Sequence, residues 1–292
     1  TLLRPFNDPA LLTHSLIYSG IILHLNGEII QAQVRLSEGL VCAEAAEDEW
    51  FAAYARLNQG YIASLLGRYD EGYEEMRASL VSMRTIGDPH ALTLGLNFIS
   101  PTVIELGYYE EAEAYLQESL ALCTELGNRW GLGTAYRFLG LAALAQGKLP
   151  EAETLILKSL DVFHEFVTGW DIVLSLVYLG EIKAAAGDSL EARRIFLEAL
   201  PMALEVQAIP LALDALIGLA YLAAQAGQVE RALELSICVS CHPASTQEAK
   251  DRAGELGAEL EAQLTSEQLE AVQSRAQVKS LDAVVREILN VP

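Results

Sequence analysis

Apolar residues fall three and four positions apart along most of the chain, the spacing that lines one face of an α-helix, and no alternating strand pattern competes with it. Glycines punctuate the pattern at a fixed interval. Gly27, Gly67, Gly107, Gly147, Gly187 and Gly227 stand forty residues apart without a slip, each opening a similar phrase, such as GYYEEAEAYLQESL at 107 or GKLPEAETLILKSL at 147. Seven residues before each glycine stands Gly20, Gly60, Ser100, Gly140, Gly180 or Ala220. Five residues after it stands Ala32, Gly72, Ala112, Ala152, Ala192 or Ala232. Leucine follows thirteen residues after the glycine in five copies, as Leu40, Leu80, Leu120, Leu160 and Leu200, with Ser240 in the sixth.

Each column has a physical reading. A turn glycine reaches backbone angles that other residues resist, so it ends one helix and starts the next. Small residues on both sides of the turn let two helix axes approach closely. The leucines belong to the buried stripe of the second helix. Six helix pairs follow, with first helices near 9–25, 48–66, 88–106, 128–146, 168–186 and 208–226, and second helices near 28–45, 69–86, 109–126, 149–166, 189–206 and 229–241. Pro89, Pro150 and Pro210 suit helix starts, whereas Pro101 and Pro201 fall inside helical patterns and are expected to kink them. After Pro243 the beat stops. A helix capped by Ser245 or Thr246 and two shorter helices are expected there, as a polar cap over the last apolar face. The expected organisation is a repeat domain over 1–243 and a cap over 244–292.

The small–turn–alanine columns resemble the tetratricopeptide repeat, with LGLAALAQGKLPEAETLILKSL at 139–160 placing Gly140, Gly147, Ala152 and Leu160 in the family's relation. The resemblance covers about residues 9–241. The family's usual period is about 34 residues, so the forty-residue period here makes longer helices. It implies an all-α, right-handed superhelical solenoid of six antiparallel pairs plus capping helices. The longer form resembles the repeat domains of bacterial signal-transduction ATPases, including maltose-activator-like and LuxR-type regulators, in phrases such as ELGNRWGLGTAYRFLGLAALAQGKLPEAE at 125–153. That likeness implies a C-terminal sensor or docking module whose ATPase and DNA-binding parts lie elsewhere in the polypeptide.

Composition narrows the partners. A net charge of −21 repels phosphate backbones and anionic lipid, which argues against direct contact with nucleic acid or membrane. The most apolar stretch, LALDALIGLAYLAAQA at 211–226, carries Asp214 and reads as a buried helix. Four cysteines without framework spacing point to a reducing cytoplasm. TLLRPFNDPA shows no secretion signal, and a chain beginning at Thr1 is expected to be a piece of something longer.

Chemistry is sparse. No phosphate loop or HExxH is present, and GLGTAY at 131–136 lacks a third glycine. His14 and His24 are either two polar positions or a metal pair on the first repeat. CVSCH at 238–242 has the spacing of a c-type haem attachment, yet in register its cysteines are substitutions at the frayed end of a second helix. A shared metal or oxidation of the two thiols stays open. No enzyme activity, cofactor or metal is expected.

Binding is the stronger expectation. The resemblance places first-helix positions thirteen, ten, six, three and two residues before each turn glycine on a concave face. Tyr54, Tyr61, Asn97, Arg137, Glu181 and Tyr221 occupy such positions, with Asn58 and Tyr178 beside them. The tyrosines either offer flat contact area or pack helix on helix. Arg137, the one cation on AYRFLGLAALA, is either a snorkelling arginine paired with an acid or an anchor for a ligand carboxylate or phosphate. Trp50, Trp130 and Trp170 recur in register and read as packing between repeats. Chaperone-docking repeats hold a lysine-rich carboxylate clamp, and no lysine stands at the clamp positions here. The expected partner is therefore a protein, peptide or small effector in the groove, or an ATPase domain of the same polypeptide. A free-standing assembly scaffold is the alternative, and a cofactor protein acting through CVSCH a remote one.

Overall fold

A computed structural model describes residues 9–165 and 169–289, and among them every regular element is helical. The chain divides into two compact units, residues 1–166 and 167–292. The first holds α1 (Pro9–Leu25), α2 (Ile29–Ala45), α3 (Glu49–Leu65), α4 (Tyr69–Ile86), α5 (Pro89–Glu105), α6 (Tyr109–Leu126), α7 (Arg129–Ala145) and α8 (Leu149–His164). The second holds α9 (Gly169–Ala185), α10 (Ser189–Glu205), α11 (Ile209–Gln225), α12 (Val229–Cys241), α13 (Gln247–Glu261), α14 (Ser266–Val278) and α15 (Leu281–Leu289). These bounds fall within a few residues of those expected from the forty-residue beat. No helix among the described residues is long and apolar enough to cross a membrane.

In the first unit each odd-numbered helix packs on the even-numbered one that follows, and each even-numbered helix packs on the next odd one. Neighbouring first helices also touch, α1 with α3, α3 with α5 and α5 with α7. The turn glycines do the work expected of them: Gly27, Gly67, Gly107 and Gly147 all have φ between 72 and 82°. A second left-handed position recurs at the far end of the pair, at Gly87 and Gly127 and, without glycine, at Glu47. Just beyond it, Asp48, Asp88 and Asn128 cap the first helices, each accepting from backbone N–H groups of the opening turn. Pro101 and Pro201 lie inside α5 and α10, which continue past them.

The small columns set the closest approaches. At Gly60 a Cβ would lie 2.7 Å from the Gly72 carbonyl oxygen, and at Gly72 one would lie 2.6 Å from the Gly60 carbonyl oxygen, so α3 and α4 cross backbone on backbone. Elsewhere the glycine makes room for a side chain. In the second unit Gly180 on α9 and Gly218 on α11 both face the fully buried ring of Phe196 on α10.

The second unit repeats the scheme, α9 with α10, α10 with α11, α11 with α12, and α9 with α11. Beyond it α13, capped by Thr246, packs on α12 and α11, and α14 packs on α12. Charged side chains fasten this tail: Arg275 reaches Glu230 at 2.9 Å, and Lys279 reaches both Glu234 and Glu287.

Candidate functional site

In the first unit the first helices carry a connected row of aromatic rings. His24 on α1 meets Tyr61 on α3 at 5.3 Å, Tyr61 meets Phe98 on α5 at 5.3 Å, and Phe98 meets Trp130 on α7 at 6.3 Å between ring centroids. Nearer the start of α3 a second group gathers, with His14 stacked on Phe51 at 3.9 Å and Trp50 and Tyr18 flanking Tyr54 at 5.2 and 6.3 Å. His24, Tyr54, Tyr61, Phe98 and Trp130 are half-buried, and Tyr18 is 49% exposed, so the row is seated on the core and partly exposed. Edge-to-face and tilted pairs of this kind hold ring orientation and add to the stabilisation from burial. Burial drives the Tyr54 phenol above its ordinary range, with the Tyr18 phenol adding to it, so Tyr54 stays a neutral hydroxyl at physiological pH. Asn58 turns away from solvent and donates to the Tyr54 carbonyl oxygen at 2.8 Å. Trp50 also donates its indole N–H to Asp88 at 2.9 Å, which links α3 to the cap of α5 and holds that carboxyl below its usual range.

Like Asn58, which is buried, two more of the expected face residues lie inside instead. Asn97 is fully buried, donating to the Gly131 carbonyl oxygen at 3.1 Å and accepting from Ser119 at 2.8 Å. It joins α5, α6 and α7 through a polar contact sealed from water. Arg137 is 2% exposed, with its guanidinium carbon 5.2 Å from the Phe138 ring centroid and 5.1 Å from that of Phe163 on α8. Neither side chain forms part of the open face, because each turns toward the second-helix layer.

In the second unit the arrangement is electrostatic. Arg252 on α13 places Nη1 2.7 Å from Glu181 on α9 and 3.6 Å from Glu248, and its guanidinium lies 5.8 Å from the Tyr221 ring centroid. Tyr221 on α11 donates its hydroxyl to the Arg252 carbonyl oxygen at 3.2 Å. Asp214 faces the same group. Burial, aided by the negative charge of Glu248 and opposed by Arg252, pushes its carboxyl up to about 8. Glu181 and Tyr221 are thus brought together by a helix of the chain itself. Tyr178 is half-buried on α9 and completes the expected set.

Several members were missed in the sequence. Phe98 lies in the same column as Asn58 and Tyr178, so register alone contained the signal. Arg252 lies past the counted repeats, yet α13 starts within two residues of where a seventh first helix would fall.

CVSCH closes α12. Cys238 is half-buried, with its thiol pushed up by burial, and Cys241 is exposed. His242 sits in the extended C-cap position and its Nδ1 accepts from the Ala244 backbone N–H at 3.1 Å. The motif therefore serves as a helix stop, with Ser245 donating to the Val239 carbonyl oxygen at 2.6 Å. His14 and His24 are engaged by different rings, Phe51 and Tyr61.

Comparison with known proteins gives the fold. A family model described as tetratricopeptide repeat matches residues 103–165. A Rap protein complexed with competence and sporulation factor aligns over 92% of this chain and 77% of its own, with 14% identity and a TM-score of 0.66. NprR in complex with its cognate peptide NprX aligns over 92% and 78%, with 13% identity and a TM-score of 0.68. A signal transduction ATPase with numerous domains and a tetratricopeptide repeat sensor, from Pyrococcus horikoshii, aligns over 94% of this chain but 40% of its own, with 16% identity and a TM-score of 0.52. No curated protein matches the sequence significantly.

Proposed function

We propose that this tetratricopeptide-like helical repeat is a non-enzymatic binding module whose ligand is a peptide or an extended protein segment, held by the aromatic row on α1, α3, α5 and α7. The observation that carries the reading is the continuity of His24, Tyr61, Phe98 and Trp130, one ring from each successive first helix. Rings spaced 5 to 6 Å apart and half seated in the core present flat, rigid area at low entropic cost, which suits apolar side chains along an extended chain. The net charge of −21 favours a ligand with positive charge and speeds its encounter. Two similar folds are complexes, one with competence and sporulation factor and one with a cognate peptide, which supports the peptide class.

The module is read further as the sensor or docking part of a larger regulator with an ATPase or DNA-binding segment in the same polypeptide. Support comes from the ATPase of Pyrococcus horikoshii, where a region of this fold makes up less than half the chain. The coding sequence adjoining this segment decides that part.

The binding reading is tested with a phage-displayed library of linear heptapeptides selected on the 292-residue chain. Enriched peptides should carry aromatic or aliphatic residues with lysine or arginine. They should lose at least tenfold in affinity against Phe98→Leu, which keeps the position apolar and removes the ring. Selection without enrichment, or peptides indifferent to Phe98→Leu and Tyr61→Leu, would show that the row packs helices and nothing more.

A further inference from the structure

The first helix exposes a surface that α5, α7 and α11 bury and that α3 buries apart from a half-buried Phe51. On α3 the residues Phe51, Ala55 and Ile62 join the apolar cluster formed by Ile17, Ile29, Ala32 and Leu36, so they are the face α3 turns toward the preceding pair. The same columns are closed in later copies. At the first column, Ala91 is 2% exposed and Leu211 4%; at the third, Thr102 is 1% exposed and Leu222 6%. At the middle column of α5, a Cβ on Gly95 would come within 2.9 Å of Leu80 and Met83, side chains of the preceding second helix. On α1 these columns hold Leu11, 44% exposed, Ser15, half-buried, and Ile22, 59% exposed. An isoleucine in one register position is thus 1% exposed on α3 and 59% exposed on α1.

Charge and the partner helix agree. Helix α1 contains no Asp, Glu, Lys or Arg in a chain of net charge −21. On the outer face of α2, Ile30 and Val34 are 64% and 52% exposed, where the next copy carries Asp70 and Glu74. A terminal repeat that ends an array is expected to be polar on its outer side.

We propose that the α1 face is an internal repeat interface, and that its occupant is a further helix pair of the same forty-residue class in the same polypeptide, packing its second helix across Leu11, Ser15 and Ile22. The argument is continuity with the interface that α2 makes on α3, α4 on α5 and α6 on α7. A single added pair supplies what α3, α5, α7 and α11 have, an apolar second helix and a neighbouring first helix. The inference requires a longer polypeptide, as the regulator reading does, but no ATPase or DNA-binding segment and no peptide ligand.

The test begins with the forty codons before that of Thr1. They should encode a glycine forty residues before Gly27 and small residues forty before Gly20 and Ala32. The chain lengthened by that period is then compared with the 292-residue chain, each with and without Ile22→Glu. In the short chain the substitution sits at an exposed site and should move the melting temperature by less than about 2 °C. In the lengthened chain it should lower it by about 6–12 °C, since the charge is then buried. Hydrogen exchange of the α1 amides should slow at least tenfold on lengthening. Upstream residues without these columns, or equal effects of Ile22→Glu in both lengths, overturn the proposal. So does self-association of the short chain that Ile22→Glu abolishes, because it gives the face to a second copy.

Discussion

Lys279 donates to Glu234 at 2.6 Å and thereby ties the junction of α14 and α15 to a carboxylate 5% exposed on α12. Burial alone would raise the Glu234 pKa, but hydrogen bonds from Lys279 and Arg231 outweigh it and hold the carboxyl below its ordinary range. A depressed carboxylate stabilises the fold above its unfolded pKa, and that stabilisation is lost as the pH falls through the folded value. The tail should therefore loosen below about pH 4.3, the usual glutamate pKa, before α9 to α11 do. Hydrogen exchange read by mass spectrometry at pH 5 and pH 3.5 checks the order. Glu234→Gln should abolish the difference and cost about 1.5–3 kcal/mol at pH 7, the range for a hydrogen bond to a charged group.

Two glycines of one column should respond differently to alanine. At Gly60 the new methyl meets the Gly72 carbonyl oxygen at 2.7 Å, which is backbone and can yield only if α3 and α4 separate. At Gly180 it meets the Phe196 ring, with the nearest carbon at 2.6 Å. Both substitutions should cost about 2–3 kcal/mol or more, as overpacking does. Phe196→Leu should recover at least 1 kcal/mol of the Gly180→Ala loss, whereas trimming Met76 should recover little of the Gly60→Ala loss. Urea titrations of the single and double variants give both numbers.

The contrast marks what the sequence could carry. The turn glycines and the small columns repeat in one register, so helix bounds and pairing followed from them. The second left-handed turn leaves no glycine column in the sequence, because it does not require glycine in every copy: Glu47 and Gln207 adopt φ of 54 and 57° where Gly87 and Gly127 stand in others. Asn97 and Arg137 had the right position on their helices for an open face, but position does not say which neighbour offers a cavity. Ser119 and the Gly131 carbonyl oxygen satisfy the Asn97 amide, and the Phe138 and Phe163 rings cover the Arg137 guanidinium. Those partners sit 22 to 34 residues away from Asn97 and are not ordered by the repeat column that holds it.

His24 gives a separate pH signature. Burial lowers its pKa to about 4, so it is neutral in the folded protein at pH 5 to 7 while the unfolded chain takes up a proton near 6.5. Stability contributed by the neutral ring is full above 6.5 and is lost as the pH falls toward 4. That window lies above the one for Glu234. His24→Leu should remove the slope between pH 6.5 and 4, on the order of 1–2 kcal/mol after allowing for a half-buried ring, and should leave the tail's loosening below pH 4.3 unchanged. Thermal melts followed by far-UV circular dichroism at half-unit intervals separate the two.

Asp214 should act in the opposite sense. Its carboxyl is raised to about 8, against about 3.9 in an unfolded chain. The folded state therefore holds a proton that the unfolded state has released, and stability falls as the pH rises from 4 toward 8. Above 8 a third carboxylate joins Glu181 and Glu248 around Arg252, one guanidinium among three negative charges. Replacing it with a neutral isostere removes the cost of ionising this group. Asp214→Asn should raise stability at pH 8 by about 1–2 kcal/mol, discounted for partial exposure, and should change it little at pH 4. The reverse variant isolates the guanidinium: Arg252→Met should lower stability most at pH 8 and least at pH 4, because Asp214 and Glu248, both pushed up by burial, lose their charge as the pH falls. If Asp214→Asn instead destabilises the protein at both pH values by the same amount, the carboxyl acts as a hydrogen-bonding group and not as an uncompensated charge.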